Sequence, residues 1–392
     1  MTKEPRVASE QEVDALITVD APVAVGVSGG KDSQAAALAT FAHLDAVGHA
    51  GPRLLIHSDL GRVEWDESLP VCERLAERLG TDLIVVRRKS GDLMDRWLSR
   101  WESSIRRYVN LETVTLVLPW STPSMRFCTS ELKTHIIGAE LRRRFRGQTI
   151  INVTGVRREE STTRAKCTIA SWEADRKVIS WRPIADWTIT QVFDCITAAG
   201  LIPHVAYTHF GMSRVSCRFC IMQNEQDMRA ATMVAETHNL YRELVGLETV
   251  STFAFQGSRW LGDVAPHLLT KQERAAFIEA KEKAAKRVSL ERILSKEMLY
   301  VNGWPTRMLT DDEAATLAYV RTGVSRLLGL EAQYLDVPSI HARYSELMAE
   351  NASRKAVREE RTSPQWELPL HSPVGAPLSN GDATFGNVLA HP

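Results

Sequence analysis

The sequence has no excess charge and no long apolar run. Its 392 residues carry 48 Lys and Arg against 48 Asp and Glu, so the formal net charge is zero. A chain without net charge has no overall attraction to nucleic acid or to an anionic membrane, so binding of either kind needs a local patch. No stretch approaches the roughly 18 apolar residues of a membrane-spanning helix. We therefore expect no membrane partner.

Cysteine is also scarce. Six cysteines in a chain of this length do not indicate a disulfide-built fold. The first residues, MTKEPRVASEQEVDAL, are charged and contain no apolar segment of the kind that directs secretion. We therefore expect a cytoplasmic protein with reduced thiols. Cys72 and Cys195 fall on the apolar faces of predicted helices and should pack as small hydrophobic side chains.

Short apolar runs alternate with helical patterns in the first half of the chain. The predicted strands are residues 22–27, 53–58, 82–86, 149–155 and 177–184. The predicted helices between and after them are residues 32–49, 65–79, 130–145 and 188–199, whereas 90–123 shows no regular pattern. This alternation predicts an α/β fold with an open, mostly parallel five-stranded sheet.

Strand patterns end after Cys220, and helical periodicity follows at 223–244, 271–299 and 311–328. From residue 362 onward Pro, Ser, Gly and Asn dominate, which predicts a disordered tail. The expected organisation is therefore an N-terminal segment (1–20), an α/β domain (21–222), a helical C-terminal appendage (223–361) and the tail (362–392).

The segment SGGKDS, residues 28–33, lies between the first predicted strand and the first predicted helix. Its two glycines let the backbone approach a ligand, and its serines and the free N–H groups of a helix N-terminus form a cradle for an anion. A Walker A loop has a longer spacer and ends in GK[ST], which excludes a P-loop kinase or GTPase. A plain capped turn would use the same residue types, but the position after the first strand favours the anion site.

SGGKDS resembles the pyrophosphate-binding loop of the PP-loop superfamily, which contains ATP pyrophosphatases and the phosphoadenosine phosphosulfate (PAPS) reductases. Four later segments resemble the PAPS reductase branch in the expected order: SDLG at 58–61, RFCTSELK at 126–133, GVRREESTTR at 155–164 and WRPIADWT at 181–188. The resemblance covers roughly residues 22–223. It implies an adenine nucleotide alpha hydrolase-like fold that binds ATP with Mg²⁺ at the carboxyl ends of the strands.

The resemblance also implies which residues hold the nucleotide. The terminal phosphates would be bound by Ser28, Gly29, Gly30, Lys31, Asp32 and Ser33. Asp59 and Gly61 would lie near the ribose or adenine. Arg157 and Arg164 would reach the phosphate or sulfate end, and Glu160 would orient an arginine or help hold Mg²⁺. The catalytic candidates are Lys31, Asp32, Arg157 and Glu160. For Arg157, Glu160 and Arg164 the alternative to a catalytic or binding role is ion pairing on a helix surface.

A CxxC motif, Cys217-Arg218-Phe219-Cys220, follows the α/β pattern. Such a pair can serve as a redox couple, half a zinc site or two ligands of an iron-sulfur cluster, or can be two buried thiols. Cys128, in the RFCTSELK segment, is a candidate third ligand. Three thiolates would suit a [4Fe-4S] cluster with one open position, with zinc as the alternative metal. Cys167 or His209 would close the site as a fourth ligand.

One departure from the PAPS reductase pattern changes the expected reaction. Thioredoxin-dependent PAPS reductases carry a catalytic cysteine in a Glu-Cys-Gly segment near the C-terminus, and no cysteine follows Cys220 in this sequence. The thiolate that would attack the sulfate sulfur is missing from its place. Cleavage of ATP between the α- and β-phosphates, combined with a cysteine site, resembles the sulfur-transfer members of the superfamily, the tRNA thiolation enzymes and DNA phosphorothioation proteins.

We therefore predict an ATP pyrophosphatase of the adenylating sulfurtransferase type, supplied by a sulfur donor such as a cysteine desulfurase. Two alternatives stay open: a cluster-dependent reductase of adenylyl sulfate or PAPS, and a nucleotide-sensing protein without turnover. A nucleic-acid acceptor is permitted by two basic runs, 87–89 and 142–146. The second run ends a predicted helix, where cations also complement the helix dipole.

Overall fold

The computed structural model describes residues 6–362. Six strands form one sheet in the order β3-β2-β1-β4-β6-β5. They are β1 (Val23–Val27), β2 (Arg53–Asp59), β3 (Asp82–Arg87), β4 (Ile150–Val153), β5 (Ala170–Trp172) and β6 (Val178–Trp181). Neighbouring strands are parallel except β5, which pairs antiparallel with β6. The mostly parallel α/β class is confirmed, but the sheet has one strand more than predicted.

The additional strand, β5, has only three residues and lies at the sheet edge. Its sequence, Ala-Ser-Trp, contains no apolar run that would indicate a strand. Pairing with β6 defines it, because Ala170 lies opposite Trp181 and Trp172 opposite Ile179. Such a strand is determined by the strand it pairs with and not by a pattern in its own residues.

Helices cover both faces of the sheet. On one face, α1 (Gln11–Thr18), α2 (Lys31–Ala46), α3 (Ser68–Leu79) and α7 (Ile189–Ala198) share an apolar core with β1 and β4. On the other, α6 (His135–Arg144) packs through Leu141 against Ala24, Leu54 and Ile56. The short helix α5 (Phe127–Thr129) and a π-helical turn (Ser130–Thr134) lead into α6. Cys72 and Cys195 both pack in or against the first core, as predicted.

A helix missing from the sequence prediction occupies much of the stretch that lacked a regular pattern. This helix, α4 (Leu93–Val109), begins with a capping box in which Asp92 and Asp95 each accept the other's backbone N–H. Its buried face includes Trp97, which packs edge-on against Trp120 and Phe255 at 5.4 and 5.9 Å between ring centroids. The arginines and serines between these aromatic residues hid the helical period in the sequence.

The remaining helices belong to the second half of the chain. They are α8 (Val205–Thr208), α9 (Glu225–Thr232), α10 (His238–Ser251), α11 (Lys271–Glu291), α12 (Asp311–Leu328) and α13 (Val337–Thr362). One apolar cluster joins α4 and the segment after β2 to α9, α10 and α12. The helical region therefore packs on residues from the predicted α/β domain, and the division at residues 222 and 223 stays a prediction about folding units.

Two further expectations concern the ends and the surface of the chain. The predicted tail falls at residues 363–392, which lie outside the described residues. Within 6–362, none of the helices combines the length and the apolar character needed to span a membrane.

Candidate active site

The SGGKDS loop connects the end of β1 to the start of α2 at the centre of the sheet. Gly29 has φ +72°, and a Cβ there would lie 2.8 Å from the Ser68 carbonyl oxygen, so only glycine fits. Ser33 closes the loop on itself: its Oγ donates to the Gly30 carbonyl at 2.9 Å and accepts from the Ser28 N–H at 3.2 Å. At Gly30 a Cβ would make only ordinary contacts, the nearest being Ser28 Oγ at 3.6 Å.

Lys31 is buried beside this loop. The residue is 4% exposed, and its Nζ lies 2.9 Å from Asp32 Oδ2 and 5.3 Å from the centre of the Tyr207 ring. The Tyr207 hydroxyl accepts from the backbone N–H of Lys31 at 3.3 Å and of Val215 at 3.1 Å. Tyr207 thereby joins the N-terminus of α2 to the segment that precedes the CxxC motif. No sequence motif pointed to it.

Arg157 holds Asp32 from the other side. The residue is 3% exposed, its Nε donates to Asp32 Oδ1 at 2.6 Å, and its Nη1 donates to the Trp187 carbonyl at 3.1 Å. Burial opposes the charge, but the hydrogen bonds to Asp32 and Glu159 and the charges of Asp32 and Glu160 together outweigh it, so the pKa of Arg157 is raised. The predicted contact of Arg157 with phosphate stays a prediction, and Arg157 is not among the residues that line the cavity described next. Its guanidinium is occupied by two carboxylates, those of Asp32 and Glu159, and by the Trp187 carbonyl.

A cavity of about 360 Å³ opens in front of the loop, at the carboxyl ends of β1, β2 and β4. Six of the predicted nucleotide residues line it: Ser28, Gly30, Asp32, Ser33, Glu160 and Arg164. Arg164 forms an ion pair with Glu160, although the extended residue Ser161 separates the two short 3-10 helices to which they belong. We call this space the phosphate-loop cavity.

Two basic side chains that the sequence left without a role also line the phosphate-loop cavity. Lys133 comes from the RFCTSELK segment, where its position beside the other motif residues was a usable signal. Arg214 comes from the segment after α8, and no motif marked it. With Arg164, they give the cavity three cations around the open face of the loop.

Asp59 and Gly61 line a neighbouring cavity of about 520 Å³, together with His57, Glu64 and Arg87. The Gly61 N–H donates to Asp59 Oδ1 at 2.7 Å, and Arg87 Nε donates to Asp59 Oδ2 at 2.9 Å. Glu64 lines both cavities, so they adjoin. The predicted ribose or adenine residues therefore lie beside the phosphate-loop cavity, not in it.

Glu64 is fixed by a buried histidine. His57 is 1% exposed, with Nδ1 3.0 Å from the Val27 carbonyl and Nε2 3.2 Å from Glu64 Oε2. Burial lowers the pKa of His57, but hydrogen bonds to Cys72 and Glu64 outweigh it and raise the pKa to about 10. Because both ring nitrogens face acceptors, the doubly protonated imidazolium fits this pocket.

The predicted cysteine ligands lie in one neighbourhood without forming a ligand set. Cys217 lines the phosphate-loop cavity, and Cys128 and Cys217 pack against the same apolar cluster. Burial raises the pKa of Cys217, and Cys220 and Cys128 raise it further through their charges. In residues 6–362, no group of three or more His, Cys, Asp and Glu is arranged to hold a metal ion. The proposed fourth ligands, Cys167 and His209, do not line the phosphate-loop cavity.

Comparison with known proteins identifies the family. The model of the phosphoadenosine phosphosulfate reductase domain matches residues 22–223. The chain belongs to this family. Every residue that lines the phosphate-loop cavity, from Gly26 to Cys217, falls inside the PAPS reductase domain. No curated protein matches the chain.

Solved structures similar to the chain include two enzymes. A phosphoadenylyl-sulfate (PAPS) reductase from Candida auris, in a phosphate complex, is 14% identical with a TM-score of 0.33 and covers 54% of this chain and 98% of its own. The U34-tRNA thiolase of Methanococcus maripaludis, with its [4Fe-4S] cluster, is 14% identical with a TM-score of 0.33 and covers 59% of this chain and 73% of its own. Because both structures are so dissimilar from the chain, its membership of the PAPS reductase domain family rests on the family match alone.

Proposed function

We propose that this PAPS reductase-domain protein binds ATP with Mg²⁺ in the phosphate-loop cavity, cleaves it between the α- and β-phosphates, and supports sulfur transfer to the adenylylated acceptor. The observation that carries the proposal is the position of Cys217, which lines the same cavity as Ser28, Gly30 and Ser33. A phosphate cradle and a thiol on one cavity wall are the two parts that such a reaction needs.

The charges around the cavity suit a nucleotide with its metal. The α2 N-terminus presents the positive end of the helix dipole and free backbone N–H groups, and Lys133, Arg164 and Arg214 add cations. Asp32 and Glu160 supply carboxylate oxygens, the ligands that Mg²⁺ prefers. The metal, when bound, would neutralise part of the phosphate charge.

The chemistry assigned to these residues is electrostatic. A nucleophilic oxygen of the acceptor attacks the α-phosphorus, the bond from that phosphorus to the bridging oxygen breaks, and pyrophosphate leaves. The loop N–H groups retain the pyrophosphate, and Arg164 and Arg214 stabilise the negative charge that develops on it. Lys31 and Arg157 act by fixing Asp32. The adjoining cavity, with Asp59 and Gly61, would receive the nucleoside.

Sulfur enters the proposal through the cysteines, with the donor a separate protein such as a cysteine desulfurase. Cys128, Cys217 and Cys220 are the candidate ligands for a [4Fe-4S] cluster, or for zinc. Their thiols are neighbours but do not form a preassembled ligand set, so no step of the reaction is derived through a metal. In the final step a sulfur nucleophile displaces AMP from the adenylylated acceptor.

The decisive experiment incubates the anaerobically purified full chain with ATP and Mg²⁺ and identifies the products. Release of pyrophosphate with AMP or an adenylylated acceptor supports the proposal, and release of ADP and phosphate would overturn it. Ser33→Ala removes both hydrogen bonds that close the loop and should abolish the activity. Ser289→Ala, on the exposed side of α11, is the matched control.

Substrates for the alternatives belong in the same assay. Sulfite released from PAPS or adenylyl sulfate would identify a reductase instead. Saturable ATP binding without turnover, in the presence of a sulfur donor and candidate acceptors, would identify a nucleotide sensor.

A further inference from the structure

A second groove, which the proposed reaction does not use, runs along the outer side of α4. It encloses about 460 Å³ between α4 and the segment that leads to α5. Its charged lining consists of Arg88, Arg96, Arg100, Arg106 and Arg107, against Glu102 and Glu131. Five arginines and two glutamates leave an excess of three positive charges in a chain whose net charge is zero. We call this the arginine groove.

Most of this charge is not neutralised. Arg96 forms a two-bond ion pair with Glu131, at 2.6 and 3.0 Å. In the part of the chain that the structure describes, the other four arginines have no carboxylate partner and are held by neutral groups. Arg88 donates to the Ser90 carbonyl, Arg100 to the Leu118 carbonyl, Arg106 to Ser103 Oγ and Arg107 to the Glu112 carbonyl. Their guanidinium groups are thus oriented while their charge remains available.

Arg88, from the first of the two basic runs singled out in the sequence, lines the groove, but four other arginines of those runs behave differently. Arg142 pairs with Glu173 and Asp175, and Arg143 and Arg144 pair with Glu140. Arg87 pairs with Asp59. These four arginines already have carboxylate partners, whereas the four unpaired arginines of the arginine groove have none within residues 6–362.

The groove is also preorganised. The guanidinium groups of Arg96 and Arg100 both stack on Phe127, at 4.7 and 5.0 Å from its ring centre. Burial and the neighbouring charge of Arg96 lower the pKa of Arg100, so an anion bound here would relieve a repulsion that the fold maintains. Like-charged groups held this close are a recognisable sign of an anion-binding surface.

The size and lining of the groove select among anions. From Arg96 to Arg107 α4 advances about 16 Å, at about 1.5 Å per residue, which is too long for one phosphate group and suits a chain of them. Val117 is the one apolar side chain among the lining residues that the structure describes, whereas a protein interface has an apolar centre. Without an aromatic lining, contacts would be to the backbone and not to stacked bases.

We propose that the arginine groove binds the phosphate backbone of a nucleic acid. Glu131 of the groove and Lys133 of the phosphate-loop cavity belong to one π-helical turn, and side chains two residues apart on a helix point to different sides. This turn therefore separates the groove from the cavity. This inference rests on the proposed function, because the bound nucleic acid would be the acceptor of the transferred sulfur.

The test measures binding of fluorescein-labelled single-stranded and duplex DNA and RNA to the full chain by anisotropy, over a series of salt concentrations. The groove variant is Arg106→Gln with Arg107→Gln. The control is Arg143→Gln with Arg144→Gln, which removes the same charge from paired arginines. We expect the groove variant to bind about tenfold or more weakly, with a salt dependence reduced by about two phosphate contacts, and the control to bind within about twofold of the unmodified chain.

Three results would overturn the proposal: no binding at low salt, equal binding by the groove variant, or equally tight binding of poly-glutamate. Pyrophosphate release measured on the same samples separates it from the proposed function. Groove-dependent binding without ATP cleavage would leave the groove standing and reject the reaction, whereas ATP cleavage without nucleic-acid binding would reject the groove alone.

Discussion

Arg157 donates a 2.6 Å hydrogen bond to Asp32, and this bond joins the loop after β4 to the first turn of α2. The two residues are 125 positions apart in the sequence, and both belong to segments that resemble family motifs. Asp32 also pairs with Lys31, so its carboxylate is held between two buried cations. The geometry of the phosphate loop therefore depends on a residue that does not line the cavity.

Replacing Arg157 should destabilise the protein as a whole. Arg157→Met removes a buried cation from Asp32, which keeps only Lys31, and leaves the Trp187 carbonyl without its donor. Breaking such a buried pair costs about 3 kcal/mol. Thermal unfolding should show a clearly lower Tm and a smaller stabilisation by ATP. Arg143→Met, in a solvent-exposed pair with Glu140, should change the Tm little. Equal effects of the two substitutions would contradict the assigned role.

At Gly155, in the loop after β4, the backbone lies very close to the backbone of Asp32 and Ser33 at the start of α2. In Gly155→Ala the new Cβ would lie 2.8 Å from the Ser33 nitrogen and closer still to the Asp32 carbonyl. The start of α2 must shift, so we expect lower stability and weaker ATP binding by calorimetry. Gly246→Ala is the matched control, because it lies in α10 with open space around its Cβ. That change should stabilise the protein by about 0.5–1 kcal/mol.

Stability should depend on pH through His57. Its pKa is raised from 6.5 in the unfolded chain to about 10 in the folded protein. A raised histidine pKa means that the folded state holds the proton more tightly, so this contribution to stability is fully present below pH 6.5 and is lost as the pH rises towards 10. Urea unfolding across that range should show the decline.

His57→Gln should flatten that part of the pH profile, because glutamine cannot take up the proton. His267→Gln, at an exposed position, should leave the profile as it is. A His57→Gln protein with the unmodified slope would show that another group is responsible.

Arg321 is a buried cation that joins α12 to the end of α4. It is 0% exposed and donates to the carbonyls of Tyr108 at 2.8 Å and Gln333 at 2.6 Å. Arg321→Met would leave these acceptors unsatisfied, at a cost of about 2–4 kcal/mol. Arg326→Met, at an exposed position on the same helix, should cost little. Urea unfolding followed by tryptophan fluorescence would distinguish them, and a similar small loss for both would reject this account of Arg321.

Metal content tests the cysteine ligands. If Cys128, Cys217 and Cys220 hold a [4Fe-4S] cluster, the anaerobic protein should contain about four irons per chain and absorb in the visible range. Cys217→Ser should lose the iron, whereas Cys195→Ser, which packs against the sheet core from α7, should retain it. One zinc and no colour would favour a structural site. Unchanged metal in Cys128→Ser would remove Cys128 from the ligand set.

Local sequence signals predicted the central part of the fold well. The predicted 22–27 became β1 (Val23–Val27), and the predicted helix at 311–328 coincides with α12 (Asp311–Leu328). A buried parallel strand is a short apolar run, and α12 carries its own cap in Thr310 and Glu313, so both are encoded by neighbouring residues. In contrast, β5 and α4 depend on partners elsewhere in the chain, β6 for the first and Trp120 and Phe255 for the second.

The candidate site divides in the same way. The sequence by itself determined the phosphate loop, its place after the first strand and membership of the PAPS reductase domain family, because these depend on residue types at fixed short spacings. Only the tertiary structure decided that Arg157 pairs with Asp32, that Tyr207 and Arg214 join the site, and that the unpaired arginines gather on α4. Those relationships arise where distant segments meet, and no local spacing records which side chain faces a cavity and which is buried behind it.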